Sequence, residues 1–170
     1  MTEPPDVDAW EAWSPSEVAD VLAGTEAPWA VAGGWAIDLH LGRQTREHGD
    51  IEVAIPNGLF ADFRRELTHF DLYEASDGGV RRLGPDELPQ AHQVWTLDRS
   101  VRRWRMDTFL EPGDTQTWIS HRDERIHLPL AEVVRRNRDG PTWPRWSCCW
   151  PRPSTPVPRT TLISRMLCRR

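Results

Sequence analysis

The sequence predicts an α/β (α+β) domain in which helices flank one small mixed sheet. Helix-type and strand-type segments alternate from residue 14 to residue 75, and several further strand-type segments follow. Residues 50–55 alternate acidic and apolar side chains, which is the period of a strand. With 170 residues, the chain is long enough for one domain with its own hydrophobic core.

A capping box predicts the first helix, which would run to about Ala23. Ser14 suits the N-cap, Pro15 suits the first helical position, and Glu17 completes the box. The elements predicted next are a strand at 29–32, a helix at 35–41 after Gly33-Gly34, a loop at 43–49, and the strand at 50–55.

The second half of the chain is richer in strand-type segments. Residues 59–67 place apolar side chains at helical spacing. Residues 92–98 and 104–110 could pair as a hairpin across the sequence RSVRR. The remaining predicted elements are strands at 70–75, 117–120 and 125–128, and a helix at 129–136.

Charge divides the chain into two parts. All 26 acidic residues lie within residues 1–140, which carry a net charge of −11, whereas residues 141–170 hold six Arg and no acid. We therefore predict a domain at 1–140 and a disordered, aberrant Pro/Arg/Trp-rich tail at 141–170. The acidic domain argues against a nucleic-acid partner and is compatible with a polycationic small molecule. No apolar run reaches membrane-spanning length and the N-terminus lacks a signal-peptide pattern, so we expect a cytoplasmic protein without a membrane partner.

Asp50 and Glu52 would project from one face of their strand, while Ile51 and Val53 face the core. Two carboxylates this close repel each other unless a cation lies between them. Mg²⁺ prefers oxygen ligands and would suit the pair. An exposed edge strand with two solvated acids would also explain it.

The residues upstream favour the site. Gly33 and Gly34 would let the backbone at a helix start approach a phosphate. Arg43, Arg46 and His48 could contact a phosphate or a nucleotide. A tight turn or a solvated loop would explain each feature alone, but all of them lie within 20 residues.

The stretch WAVAGGWAIDLHLGRQTREHGDIEVAI, residues 29–55, resembles the aminoglycoside 2''-adenylyltransferase-like branch of the nucleotidyltransferase superfamily. That branch shows a GGWAID segment and then GRxTRxHxD, followed by a second acid two residues on. The resemblance extends more loosely to about residue 140. Glu52 stands where relatives often carry Asp, and Gly49 stands where they often carry another acid.

This resemblance implies the minimal nucleotidyltransferase fold and a Mg²⁺-dependent transfer of a nucleotidyl group. The donor would be ATP, which gives an adenylyl group, or another nucleoside triphosphate. The acceptor would be a hydroxyl of an aminoglycoside-like molecule. Asp50 and Glu52 would hold Mg²⁺ on the triphosphate, and Gly33 and Gly34 would lie against the phosphates. Asp107 is the candidate third carboxylate, as a metal ligand or as a base for the acceptor hydroxyl. Alternatively, Asp107 is a strand-end acid paired with one of Arg102, Arg103 or Arg105.

The tail is predicted to result from a frameshift. Read from the third base of the Thr142 codon onward, its codons can encode LAPVVLLLAKAKHTRPKDDADFADAVPA, which resembles the family segment LAPExxLLxKAKxxRPKDxxDF. Other hypotheses stay open. The chain could be an inactive remnant or a nucleotide-binding module, or a toxin-type nucleotidyltransferase that acts on tRNA or protein.

Overall fold

The computed structural model describes residues 6–76, 79–121, 123–137 and 140–142. These residues form one eight-stranded mixed sheet with short helices and a separate two-stranded sheet. The predicted α+β class, with a mixed sheet and flanking helices, is confirmed. The predicted tail lies outside the described residues except for its first two positions, so the domain boundary at 140 stays a prediction.

The helices within the described ranges are short. Ser14 caps the first one as predicted, because its backbone N–H donates to the Glu17 carboxylate (2.7 Å) and its hydroxyl accepts from the Glu17 N–H (3.3 Å). None of these helices is long and apolar enough to cross a membrane. The helices are α1 (Pro15–Val21), α2 (Gly33–Leu41), α3 (Phe60–Phe63, flanked by 3₁₀ turns at Asn57–Leu59 and Arg64–Leu67) and α4 (Leu130–Val133).

The strands are β1 (Ala30–Val31), β2 (Glu52–Pro56), β3 (Phe70–Ser76), β4 (Gly79–Arg82), β5 (Gln93–Asp98), β6 (Arg103–Glu111), β7 (Thr117–Ser120), β8 (Asp123–Pro129), β9 (Arg135–Asn137) and β10 (Gly140–Thr142). The large sheet has the order β4-β3-β5-β6-β2-β1-β10-β9, and β7 pairs with β8 alone. β2 lies parallel to β6, and β1 lies parallel to β10. The predicted hairpin of β5 and β6 is confirmed.

Two of the differences between the predicted elements and the structure affect the strands of the large sheet. The helix predicted at 129–136 is wrong beyond Val133, because Val134 has extended backbone angles (φ −93°, ψ 123°) and the next residues form β9. The adjacent β-branched valines favour a strand, and pairing with β10 completes it. The predicted strand at 50–55 begins only at Glu52, so Asp50 precedes it.

Apolar side chains cover both faces of β2. Val53 and Ile55 are fully buried on the face that packs against α1 and α3. Ala54 points to the opposite face and packs with Trp118 of β7 and Leu130 of α4. Glu52 lies on the same face as Ala54 and is the first residue of β2. The other residues of this strand are buried in the core.

Candidate active site

Two of the predicted acids are neighbours in the sheet. The parallel register of β2 and β6 places Glu52 opposite Asp107. Hydrogen bonds fix this end of β2 from both sides: the Asp107 N–H donates to the Ile51 carbonyl (2.9 Å), and the Ala32 N–H donates to the Glu52 carbonyl (2.7 Å). The sheet therefore brings together carboxylates that are 55 positions apart in the sequence.

Asp107 is the most buried of the three acids, at 8% exposed. Its Oδ2 accepts a hydrogen bond from the Gln93 side-chain amide (2.9 Å), whereas its Oδ1 is buried and makes no hydrogen bond of good geometry. The indole N–H of Trp95, opposite Asp107 on β5, interacts only weakly with the carboxylate. Burial, together with the negative charges of Glu52 and Asp50, raises the pKa of Asp107 well above its ordinary value. A buried carboxylate oxygen without a partner is costly, and a cation or a proton would satisfy it.

The alternative interpretation of Asp107 as one half of a surface ion pair does not describe its surroundings. Arg105, the nearest candidate on the same strand, binds Asp98 (3.2 Å) and approaches Glu11 (3.4 Å). Within the described ranges, Asp107 forms no ion pair with an arginine. Its hydrogen-bonding partner is the neutral side chain of Gln93.

Asp50, the third predicted acid, lies between the loop at 43–49 and the start of β2. It is half-buried, and this burial raises its pKa despite the opposing positive charge of Arg46. Glu52 lies opposite Asp107 in the sheet, and Asp50 and Glu52 both influence Asp107 electrostatically; we call these three residues the carboxylate cluster. No three His, Cys, Asp or Glu side chains in the described part of the chain already lie in a geometry that could hold a metal ion.

The glycine pair at the start of α2 makes room for side chains of the site. Gly33 has a left-handed backbone (φ +60°), and a Cβ built on it would lie 1.3 Å from Oε2 of Glu52. A Cβ on Gly34 would lie 2.1 Å from the Arg46 guanidinium and 3.0 Å from the His48 ring. A side chain larger than hydrogen at either position would therefore displace side chains of the site.

The remaining predicted contact residues lie at different depths. The His48 side chain is only 1% exposed and binds Asp38 (2.6 Å), while its ring stacks on Trp35 with centroids 4.3 Å apart. Arg46 is half-buried over the start of α2. Arg43 is exposed beyond the other end of α2, and no hydrogen bond or ion pair joins its side chain to the acids in the described ranges. Their predicted contacts with a nucleotide stay predictions.

Sequence reasoning did not single out Asp38. This residue is 3% exposed and accepts hydrogen bonds from the Thr45 N–H (3.0 Å) and hydroxyl as well as from His48. Burial opposes its ionisation, but the bonds from Thr45 and His48 outweigh that effect and lower the pKa of Asp38. The signal in the sequence was an acid within the otherwise apolar segment WAIDL.

Comparison with known proteins finds a similarity to aminoglycoside nucleotidyltransferases over part of the chain. Residues 16–83 match the family model described as aminoglycoside-2''-adenylyltransferase, so the family resemblance predicted from the motifs is confirmed over this part of the chain. The matched segment contains the glycine pair, Asp50 and Glu52, but it ends before Asp107.

Three curated relatives, one from Escherichia coli and two from Klebsiella pneumoniae, carry the name 2''-aminoglycoside nucleotidyltransferase. Each is 33% identical to this chain over 75 residues, which is 43% of this chain. The chain thus spans 42% of the length of the curated relatives it matches. Comparison with solved structures gave no match.

Proposed function

We propose that the protein is a Mg²⁺-dependent nucleotidyltransferase that transfers an adenylyl group from ATP, or the equivalent group from another nucleoside triphosphate, to a hydroxyl of an aminoglycoside-like molecule. The observation that carries this proposal is the carboxylate cluster: Glu52 lies opposite Asp107, whose buried Oδ1 makes no hydrogen bond of good geometry. A cation would compensate the charges and satisfy this oxygen. The cluster lies beside the start of α2, as the resemblance implied.

The donor set fits Mg²⁺. Carboxylate oxygens are the ligands that this ion prefers, and one or two carboxylates leave positions for phosphate oxygens and water. Asp50 and Glu52 would hold the ion, and their charges reach Asp107, whose Oδ1 makes no hydrogen bond of good geometry. When bound, Mg²⁺ neutralises the charge of the triphosphate and favours the departure of pyrophosphate.

The chain's own residues then have separate tasks. The acceptor oxygen forms a bond to the α-phosphorus, the bond from that phosphorus to the bridging oxygen breaks, and pyrophosphate leaves. Asp107 accepts the proton of the acceptor hydroxyl, a role suited to a carboxyl group whose pKa is raised by burial. Gln93 holds the other carboxylate oxygen, which fixes the direction in which Asp107 presents Oδ1. Arg46, over the start of α2, supplies positive charge for the phosphates.

The acceptor class rests on the relatives' names and on charge. Aminoglycosides are polycations, and residues 1–140 carry a net charge of −11. The same charge opposes tRNA as an acceptor, because phosphate recognition needs clustered Lys and Arg. A remnant that binds nucleotides without transferring them is the second candidate, since residues 141–170 lack the segment that the family carries there.

The test compares two proteins: the chain as written, and a frame-restored protein in which the alternative frame is read from residue 142. Each is incubated with MgATP and a panel of aminoglycosides, and pyrophosphate release is measured. We expect acceptor-dependent release from the frame-restored protein and its loss in Asp50→Asn. The matched control is Asp62→Asn, which removes a charge that pairs with Arg65 on the surface.

Nucleotide binding without acceptor-dependent release would favour the remnant. Release that persists unchanged in Asp50→Asn would contradict the assignment of the metal ligands. Release that depends on tRNA or on a protein, and on no aminoglycoside, would favour the toxin-type alternative.

A further inference from the structure

The network around Asp38 joins the loop at 43–49 to α2. Both carboxylate oxygens of Asp38 are used: the Thr45 hydroxyl donates to Oδ1, and the Thr45 N–H (3.0 Å) and the His48 ring (2.6 Å) contact Oδ2. The Arg43 N–H also donates to the Asp38 carbonyl (3.2 Å). A loop of this composition needs no buried carboxylate merely to turn the chain, because glycine and solvent-exposed polar residues suffice.

The network also fixes the orientation of His48. Its ring is held at the edge by Asp38 and on its face by Trp35, with ring centroids 4.3 Å apart and an interplanar angle of 25°. The other edge of the ring lies over Gly34, 3.0 Å from where a Cβ would be. These contacts fix the position of the His48 side chain. Asp50 follows only two residues later in the chain.

Asp50 depends on this support more than the other acids do. Glu52 and Asp107 belong to β2 and β6 and are held by the register between these strands. Asp50 precedes β2, and its side chain makes no hydrogen bond to another residue of the described ranges. Only the end of the loop on one side and the start of the strand on the other determine where its carboxylate lies.

We infer that Asp38, Thr45 and His48 are positioning residues that hold Asp50 in the carboxylate cluster. This inference rests on the proposed function, because it assigns the network a purpose in metal binding. It also gives His48 a different task from the direct nucleotide contact expected from the sequence. Supporting groups behind metal ligands commonly change metal affinity by about 10- to 100-fold when they are removed.

Thr45 offers the sharpest test, since it is exposed as a residue and its replacement leaves the core intact. Thr45→Val removes the hydroxyl that donates to Asp38 while keeping the branched shape, and Thr45→Ser keeps the hydroxyl. The full chain is titrated with Mn²⁺, and free Mn²⁺ is followed by electron paramagnetic resonance. We expect Thr45→Val to weaken Mn²⁺ binding about tenfold and Thr45→Ser to leave it within about twofold of the wild type.

A double-mutant cycle that combines Thr45→Val with Asp50→Asn distinguishes the positioning of Asp50 from a general loosening of the site. If Thr45 acts through Asp50, then Thr45→Val should weaken the residual Mn²⁺ binding of Asp50→Asn by less than about twofold. The melting temperature of each variant without metal is recorded beside the titration, and Thr45→Val should lower it by only about 2–4 °C.

The outcomes distinguish this inference from the proposed function. If Thr45→Val binds Mn²⁺ as tightly as Thr45→Ser, or if it weakens binding tenfold in both backgrounds, the network does not position Asp50, while the metal assignment stands. If the wild-type chain binds no Mn²⁺, or if Asp50→Asn binds it as tightly as the wild type, the proposed metal site and this inference both fail.

Discussion

Replacing Gly33 by alanine should damage the site far more than the fold. Gly33 has φ +60°, and an L-residue in this conformation costs about 1–2 kcal/mol. The added methyl group would also lie 1.3 Å from Oε2 and 2.5 Å from Cδ of Glu52. The Glu52 carboxylate must therefore move. Because it is the end of a flexible side chain, a change of rotamer relieves the overlap at a further cost of about 1 kcal/mol.

Gly42 provides the matched control at the other end of the same helix. It ends α2 with φ +68°, and a Cβ built there would meet nothing within 4 Å. Gly42→Ala should therefore lose about 1–2 kcal/mol through backbone strain alone. Urea unfolding followed by tryptophan fluorescence measures both losses, and we expect the values to differ by no more than about 1 kcal/mol.

Mn²⁺ titration of the same two variants gives the decisive comparison. Displacement of Glu52 removes one carboxylate from the cluster, so Gly33→Ala should bind Mn²⁺ at least about tenfold more weakly than Gly42→Ala. Equal Mn²⁺ affinity in the two variants would refute the reasoning. It would mean that Glu52 is not a ligand or that its place beside Gly33 is irrelevant.

Three further predictions concern the fold and the tail. Ser14→Ala removes the capping box with Glu17 and should cost about 1 kcal/mol in urea unfolding, whereas Ser16→Ala, which removes only the exposed hydrogen bond between the two serine hydroxyls (3.1 Å), should cost less. The second prediction concerns the pH dependence of stability at Asp71. Burial opposes the ionisation of this residue, but hydrogen bonds from Arg99 and Arg82 outweigh this effect and lower its pKa. A carboxyl group with a lowered folded-state pKa stabilises the fold above its unfolded value of about 3.9, and this stability is lost as the pH falls through the folded pKa. Asp71→Asn should therefore cost about 1–2 kcal/mol at pH 7 and progressively less below about pH 4; an equal loss at pH 7 and pH 3 would contradict the assignment. Resequencing the gene and its RNA around codon 141 should show a displaced frame, and an unbroken frame would exclude the frameshift.

The sequence indicated the proposed metal-binding strand and a candidate third carboxylate, but not the register that brings them together. Period-two alternation identified β2, and the motif residues identified Asp50 and Glu52. The pairing of Glu52 with Asp107 depends on the register of β2 and β6, which join distant parts of the chain. Local patterns carry no information about such a register. Asp107 could be proposed only as an acid in an apolar strand, and its link to Gln93 could not be foreseen.

The network around Asp38 was missed for a related reason. An acid near the end of a helix is usually solvated, and only the folding of the loop back onto α2 shows that Asp38 is buried beneath Thr45 and His48. The helix predicted at 129–136 failed because four or five apolar residues fit a short helix and a short strand equally well. Pairing of β9 with β10, two segments for which no strand was predicted, decides between them.

The most direct measurement follows the fate of the phosphates of ATP. The frame-restored protein is incubated with Mg²⁺, an aminoglycoside, and ATP that carries a radioactive label on either the α- or the γ-phosphorus. A nucleotidyltransferase with the site described by Asp50, Glu52 and Asp107 transfers the α-label to the acceptor and releases the γ-label as pyrophosphate. Asp107→Asn should abolish the transfer while the protein remains folded. Transfer of the γ-label, or transfer of the α-label that is undiminished in Asp107→Asn, would contradict the proposed function.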